Sequence, residues 1–200
     1  MTLQIKVYSD YVCPFCFVGK AAFEEAIKDK DVQVEWMPFE LRPSPSPKLD
    51  PVNDPAKRQM WKNSIEPMAQ SLGVEITFPR VSPHPYTDLA FEGFHFAKEH
   101  GKGSEYHTRV FQAFFQEEQN IGDVGVLTKL AEEAGLDGAP FKEALETRAY
   151  RHVQREALRH AYEEAGITAV PTFIIGDERI PGAAGKETFE QIIERELNKR

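Results

Sequence analysis

Cys13 and Cys16 are the only cysteines in the 200-residue chain, and they stand in the run Cys13-Pro14-Phe15-Cys16. Two thiols at this spacing suit disulfide exchange, in which one sulfur attacks and a second, close by, resolves the mixed disulfide. Positions i and i+3 lie on one side of a helical turn, so a helix starting here would bring both sulfurs within reach. The first cysteine would then sit at or beside the N-cap, where unpaired N–H groups and the helix dipole favour its thiolate. Cys13 is therefore expected to be the nucleophile and the thiol alkylated first. Cys16, one turn inward, is expected to be less exposed and to act as the resolving thiol.

Other uses of the pair fit the sequence less well. Two cysteines do not complete a zinc site, and no second CxxC follows. His84, His95, His100 and His107 fall on or beside predicted helices far along the chain. His152 and His160 are eight apart, beyond the i, i+4 spacing of helical ligands. No metal is expected. Asp10, three residues before Cys13, could raise the thiol pKa, shuttle protons, or simply cap a turn. His84 lies between Pro83 and Pro85 and could sit on a loop near the dithiol, though a solvent-exposed loop histidine is the more ordinary reading. Phe91, Phe94, Phe96, Phe111, Phe114 and Phe115 could line a groove for unfolded clients, but such a stripe more often forms the core of a helical block.

The elements that must hold the dithiol are legible on both sides of it. Residues 3–9 (LQIKVYS) alternate apolar and polar side chains and predict a strand. The stretch after Cys13 has helical spacing through Phe17, Ala21, Glu24 and Ile27, with Pro14 suited to the first turn. Residues 32–41 predict a second strand, parallel to the first across a right-handed crossover. Five prolines between positions 43 and 55 then mark an extended connector. From 54 to 166 the pattern is helical, with a kink expected at Pro67 and a breaker-rich loop over 73–85. Residues 172–175 and 178–180 predict two short strands around Gly176-Asp177, and 186–197 a final amphipathic helix. The plan is α/β: β-α-β, then helices, then β-β-α. This predicts one domain from 1–42 and 167–200, interrupted by a helical insertion domain over 43–166.

Composition narrows the partners. With 24 Lys+Arg against 32 Asp+Glu, the formal net charge is −8, which argues against a nucleic-acid surface or a polybasic membrane patch. The first residues, MTLQIKVYSDYVCPF, lack a basic segment followed by an apolar stretch, and no run is long enough to span a membrane. A cytoplasmic protein is expected. There is no GxGxxG after a strand and no P-loop, so no cofactor is expected and electrons must come from an external thiol system.

Four pieces together resemble a known family. They are Ser9-Asp10-Tyr11-Val12-Cys13-Pro14-Phe15-Cys16 with Gly19, Gly166-Ile167-Thr168-Ala169-Val170-Pro171-Thr172-Phe173, Ile180-Pro181-Gly182-Ala183, and the interrupting helical block. Over essentially its whole length the chain is similar to the DsbA family of thioredoxin-fold oxidoreductases, in its FrnE-like cytosolic branch. The resemblance implies a thioredoxin fold carrying a large all-helical insertion. It also implies that Pro171 is cis beside the dithiol, keeping metal from the sulfurs, and that the backbone of Val170 pairs with substrate. Pro14, Phe15 and Pro171 would add apolar contact. Two features depart from relatives: Pro-Phe stands between the cysteines, where thioredoxin has Gly-Pro and the periplasmic oxidase Pro-His, and Ala184 stands where many FrnE-like chains have Gln.

The activity so implied is that of a thiol–disulfide oxidoreductase of the protein disulfide reductase or isomerase type, acting on protein or small-molecule disulfides. The same branch is similar to kappa-class glutathione transferases and 2-hydroxychromene-2-carboxylate isomerases, which usually carry Ser where Cys13 stands. A glutathione-dependent isomerase or transferase is therefore the alternative, disfavoured by the complete CxxC. A non-enzymatic holdase is the third reading.

Overall fold

The computed structural model describes residues 2–199. Met1 and Arg200, outer limits of the segments 1–42 and 167–200, lie outside the described residues. Strand β1 (Leu3–Ser9) buries Leu3, Ile5 and Val7, as its alternation requires. It pairs in parallel with β2 (Val32–Pro38), across helix α1 (Pro14–Ile27). On its other edge it pairs antiparallel with β3 (Thr172–Ile175), which pairs antiparallel with β4 (Glu178–Pro181). The sheet order is β2-β1-β3-β4. A two-residue turn joins the last two strands, and Gly176, at φ 58, supplies the left-handed conformation it needs.

Strand β2 stops at Pro38, not at the expected Leu41. Its partner β1 ends at Ser9, whose carbonyl takes the last bond from the Phe39 N–H at 3.1 Å. The Leu41 N–H turns instead to the Asp10 carboxylate.

Between the two halves of the sheet lie helices α2 (Pro55–Met60), α3 (Glu66–Ser71), α4 (Asp88–Glu99), α5 (Gly103–Phe115), α6 (Val124–Glu133), α7 (Gly138–Glu146) and α8 (Arg151–Arg159). Helix α9 (Lys186–Asn198) closes the chain. The expected kink at Pro67 is realised as a π-helical stretch, Trp61–Ile65, joining α2 to α3. Pro67 has no N–H to offer the preceding turn, and the ladder widens just before it, with Glu66 N–H donating to the Trp61 carbonyl.

The core runs without interruption from the sheet into the helical block. Helices α1 and α9 cover one face of the sheet, where Phe23, Phe173 and Phe189 meet with centroids 4.6–5.4 Å apart. The other face packs Tyr8 and Phe39 with Ala161 and Ile167. From the dithiol end, Tyr11 stacks on Phe91 at 4.5 Å and Phe17 on Phe115 at 5.3 Å. The Phe stripes on α4 and α5 are therefore core, all of them buried. Among the described residues only Val153 and Tyr162 are large hydrophobic side chains left exposed. No helix among the described residues is long and apolar enough to cross a membrane.

Candidate active site

The loop after β1 turns back on itself, its Cys13 N–H donating to the Asp10 carbonyl at 3.1 Å. This places Cys13 at the N-cap of α1 in extended conformation, with Pro14 in the first helical turn. The Cys13 carbonyl accepts from the N–H groups of Cys16 (3.1 Å) and Phe17 (3.2 Å). Its sulfur accepts from the Cys16 N–H at 3.3 Å, the place where an N-cap oxygen would act. Helix geometry thus aims a backbone donor at the sulfur expected to attack.

Both thiols are free. Cys16 is the less exposed of the two, as expected, by a small margin: Cys13 is 4% and Cys16 2% accessible. Burial, reinforced by the neighbouring Cys13, holds the Cys16 thiol well above its ordinary pKa. Across the site the Cys13 thiol donates to the Val170 carbonyl at 3.6 Å. The Val170–Pro171 peptide is cis. Beside it, Gly19 permits close packing: a Cβ there would lie 3.1 Å from Ala183 Cβ and 3.7 Å from Pro171 Cγ.

Cys13, Pro14, Phe15 and Val170 form one wall of a cavity of about 520 Å³. Cys16 and Pro171 are buried and are not among the residues that line it. The opposite wall comes from the helical block, with Trp61, Phe78, Phe115 and His84. Around the mouth stand Arg42, Lys48 and Lys57, with Asp50 and Asp54. The two acids are already engaged. Asp54 caps α2 through the N–H groups of Ala56 and Lys57, and Asp50 accepts from Asn53 and Ser82.

His84 corrects a sequence expectation. It does lie in a loop, but it is only 5% exposed. Its backbone N–H donates to the Leu49 carbonyl at 2.7 Å, and its ring packs edge-on against Phe114 at 5.0 Å. The proline-rich connector folds back over it, which flanking prolines alone do not announce. Burial pushes its pKa down to about 4, opposed by a hydrogen bond to the Pro79 backbone and by the charge of Asp50. Both ring nitrogens are closed off from solvent.

Two buried carboxyl groups lie behind the dithiol. Asp10, 1% exposed, accepts from the Leu41 N–H at 2.7 Å through Oδ2. Burial raises its pKa to about 6; Thr87 and the Val12 and Tyr11 amides pull the other way without closing a hydrogen bond to Oδ1. Its charge also acts on Cys16. Both roles weighed for Asp10 thus remain physically available: one oxygen holds the exit of β2, and the carboxylate also faces Thr87 and the Val12 and Tyr11 amides.

Glu40 was missed by the sequence analysis, and burial pushes it up to about 7. It accepts from Gln154 Nε2 at 2.7 Å, while Gln154 Oε1 meets His95 Nε2 at 2.9 Å. The available signal was a lone acid between Phe39 and Leu41.

With this geometry in hand, the comparisons with known proteins are informative. The family model for the DSBA-like thioredoxin domain matches residues 4–194. The chain is 78% identical to YwbO of Bacillus subtilis (strain 168) over 200 residues, all of both chains. The probable DsbA oxidoreductase SCO1869 from Streptomyces coelicolor is 26% identical, with a TM-score of 0.84, covering 99% of this chain and 91% of its own. The cytosolic disulfide reductase DsbM from Pseudomonas aeruginosa shares the fold at 18% identity, with a TM-score of 0.70, covering 99% and 100%. The fold, the N-cap dithiol and the family match agree: the chain belongs to the DSBA-like thioredoxin domain family.

Proposed function

We propose that the chain is a thiol–disulfide oxidoreductase of the reductase or isomerase type, with Cys13 as nucleophile and Cys16 as resolving thiol. The observation that carries this reading is the Cys13 sulfur itself. It sits at a helix N-cap, receives the Cys16 N–H, and lines a cavity large enough for a substrate.

The Cys13 thiolate attacks one sulfur of a disulfide. A Cys13–substrate bond forms, the substrate's S–S bond breaks, and the departing thiolate takes a proton from solvent. Loss of the Cys13 proton also frees the Val170 carbonyl, which can then accept from a substrate amide in strand-like pairing. Pro14 and Phe15 add apolar contact from the same wall. Cys16 next gives its proton to the buried carboxylate of Asp10 and attacks Cys13, expelling the second substrate thiolate. The product is the Cys13–Cys16 disulfide. External thiols return the two electrons. In the reducing cytoplasm we expect for the chain, mass action favours this direction over net oxidation.

The test is turnover of a disulfide substrate with dithiothreitol as reductant. Cys13→Ser is expected to remove enzyme-dependent turnover, and unchanged turnover in that variant would end the reading. Equilibration of the Cys13–Cys16 pair against glutathione then fixes direction: a potential near roughly −270 mV suits a reductase, and one of roughly −120 to −180 mV an oxidase or isomerase.

A further inference from the structure

A second cavity of about 520 Å³ adjoins the one that holds Cys13. Sequence neighbours alternate between the two linings: Leu41 and Arg42 face the dithiol cavity, Glu40 and Pro43 the second, and Lys48 lines both. The strip of chain at 40–43, together with Lys48, separates them.

Across both linings the acids are engaged and the cations are not. Asp88 and Glu92 are bound by Arg148, and Glu40 by Gln154. Asp50 accepts from Asn53 and Ser82, and Asp54 caps α2. Among the described residues, Arg148 is the one lining cation bound to a carboxylate; Arg42, Lys48, Lys57, Arg151 and Arg155 have no such partner. All of these unpaired cations are exposed. In a chain of net charge −8 they form a positive band, running from the mouth of the dithiol cavity over Lys48 to the rim of the second.

The band's chemistry names its partner. Guanidinium groups suit carboxylates, and Arg151 and Arg155, four apart on α8, lie on one helix face. They belong to the second cavity, across Lys48 from Cys13, so a small anion held there would not touch the dithiol. A polypeptide can occupy both places, with a cysteine at Cys13 and its acidic side chains beyond the strip.

We propose that the protein selects polypeptide disulfides whose cysteine is flanked by an acidic segment, which crosses Lys48 and pairs its carboxylates with Arg151 and Arg155. The proposal rests on Cys13 being the nucleophile. The two arginines make no covalent bond and move no electron; they are specificity residues on the insertion side.

The test compares two substrates on the full chain: the symmetrical disulfide of acetyl-Glu-Glu-Glu-Ala-Gly-Cys-Gly-Ala-Glu-Glu-Glu-amide, and its counterpart with Gln for every Glu. The wild type is expected to prefer the Glu peptide, and Arg151→Gln with Arg155→Gln to lower the ratio of kcat/KM values about fivefold, mainly through KM. The reversed pair, Arg151→Glu with Arg155→Glu, is expected to lower it further. A wild type without preference, or a ratio unchanged in both variants, overturns the proposal.

A second readout does not depend on redox chemistry. The Glu peptide with Ser in place of Cys is expected to bind the wild type more tightly than the Arg151→Gln, Arg155→Gln variant, with the difference shrinking as salt is raised. Equal affinity for the two chains counts against the arginines. Tighter binding to the wild type, with neither disulfide turned over by it, would count against the Cys13 reading alone.

Discussion

Two cavities of about 520 Å³ share Lys48 in their linings, and they are built from opposite kinds of side chain. In the polar cleft, Glu92 is completely buried, and Arg148 meets it with a fork of bonds at 2.6–3.1 Å. The same guanidinium reaches Asp88 at 2.6 Å. Arg148 holds this position at φ 55, a backbone conformation costly for a residue with a Cβ. Glu40 in that cleft is held by Gln154. Across Lys48, the dithiol cavity is lined by Trp61, Phe78, Phe115, Phe15 and Val170 beside Cys13. The contrast teaches how to separate structure from recognition. A cavity whose buried charged groups are paired within the chain has a floor that is part of the framework, whereas an apolar one beside a thiol is open to a substrate.

Removing the paired group should be the more damaging change. Arg148→Met strands the Glu92 carboxylate in the interior, and breaking a buried pair in this way costs about 3–5 kcal/mol. Urea denaturation should show that loss. A cost below about 1 kcal/mol would mean that the cleft is not a framework element, and the comparison would fail.

Asp10 tests the region between the cavities. Its pKa is raised, from 3.8 to about 6, so ionisation opposes folding. The stability associated with the protonated form is fully present below pH 3.8 and is lost as pH rises through about 6. Asp10→Asn removes that liability while still offering an oxygen to the Leu41 N–H. It should be more stable than the wild type at pH 8, by on the order of 3 kcal/mol for a shift of two pKa units, with the advantage vanishing near pH 4. Paired melting curves from pH 4 to 8 check this; a constant difference would assign Asp10 a purely structural place.

The smallest effect has the opposite sign from the first. His84→Leu exchanges a desolvated imidazole packed on Phe114 for an apolar side chain, and should stabilise the free protein by about 1 kcal/mol. Destabilisation measured by the same urea method would show that the bond to the Pro79 backbone outweighs the desolvation of the ring.

The parts of this molecule legible in the sequence are those encoded over a few neighbouring residues. Alternation over residues 3–9, the run Cys13-Pro14-Phe15-Cys16, and the spacing of Phe17, Ala21, Glu24 and Ile27 suffice to put a dithiol at the start of a helix after a strand. The Phe stripes on α4 and α5 likewise read correctly as core, because a stripe at helical spacing must be covered by something.

What escaped depends on distant partners. His84 is buried because the connector returns to it through Leu49, Asn53 bonds Ser82, and Tyr86 bonds the Ser46 carbonyl. No local pattern encodes those meetings. Glu40 owes its burial to Gln154, which is 114 positions away. Strand β2 ends early because Asp10, on another element, takes the Leu41 N–H. The depth at which Cys13 is buried has the same origin: Trp61, Phe78 and Phe115 come from the helical block to line the cavity with it.

The most direct test of the account is to trap its covalent intermediate. Cys16→Ser, mixed with a peptide disulfide, should accumulate a stable mixed disulfide that mass spectrometry of the digested protein maps to Cys13, while the wild type releases the peptide and forms the Cys13–Cys16 disulfide. Failure of Cys16→Ser to form that adduct, or an equally fast adduct on Cys16 in Cys13→Ser, would contradict the assignment of nucleophile and resolving thiol.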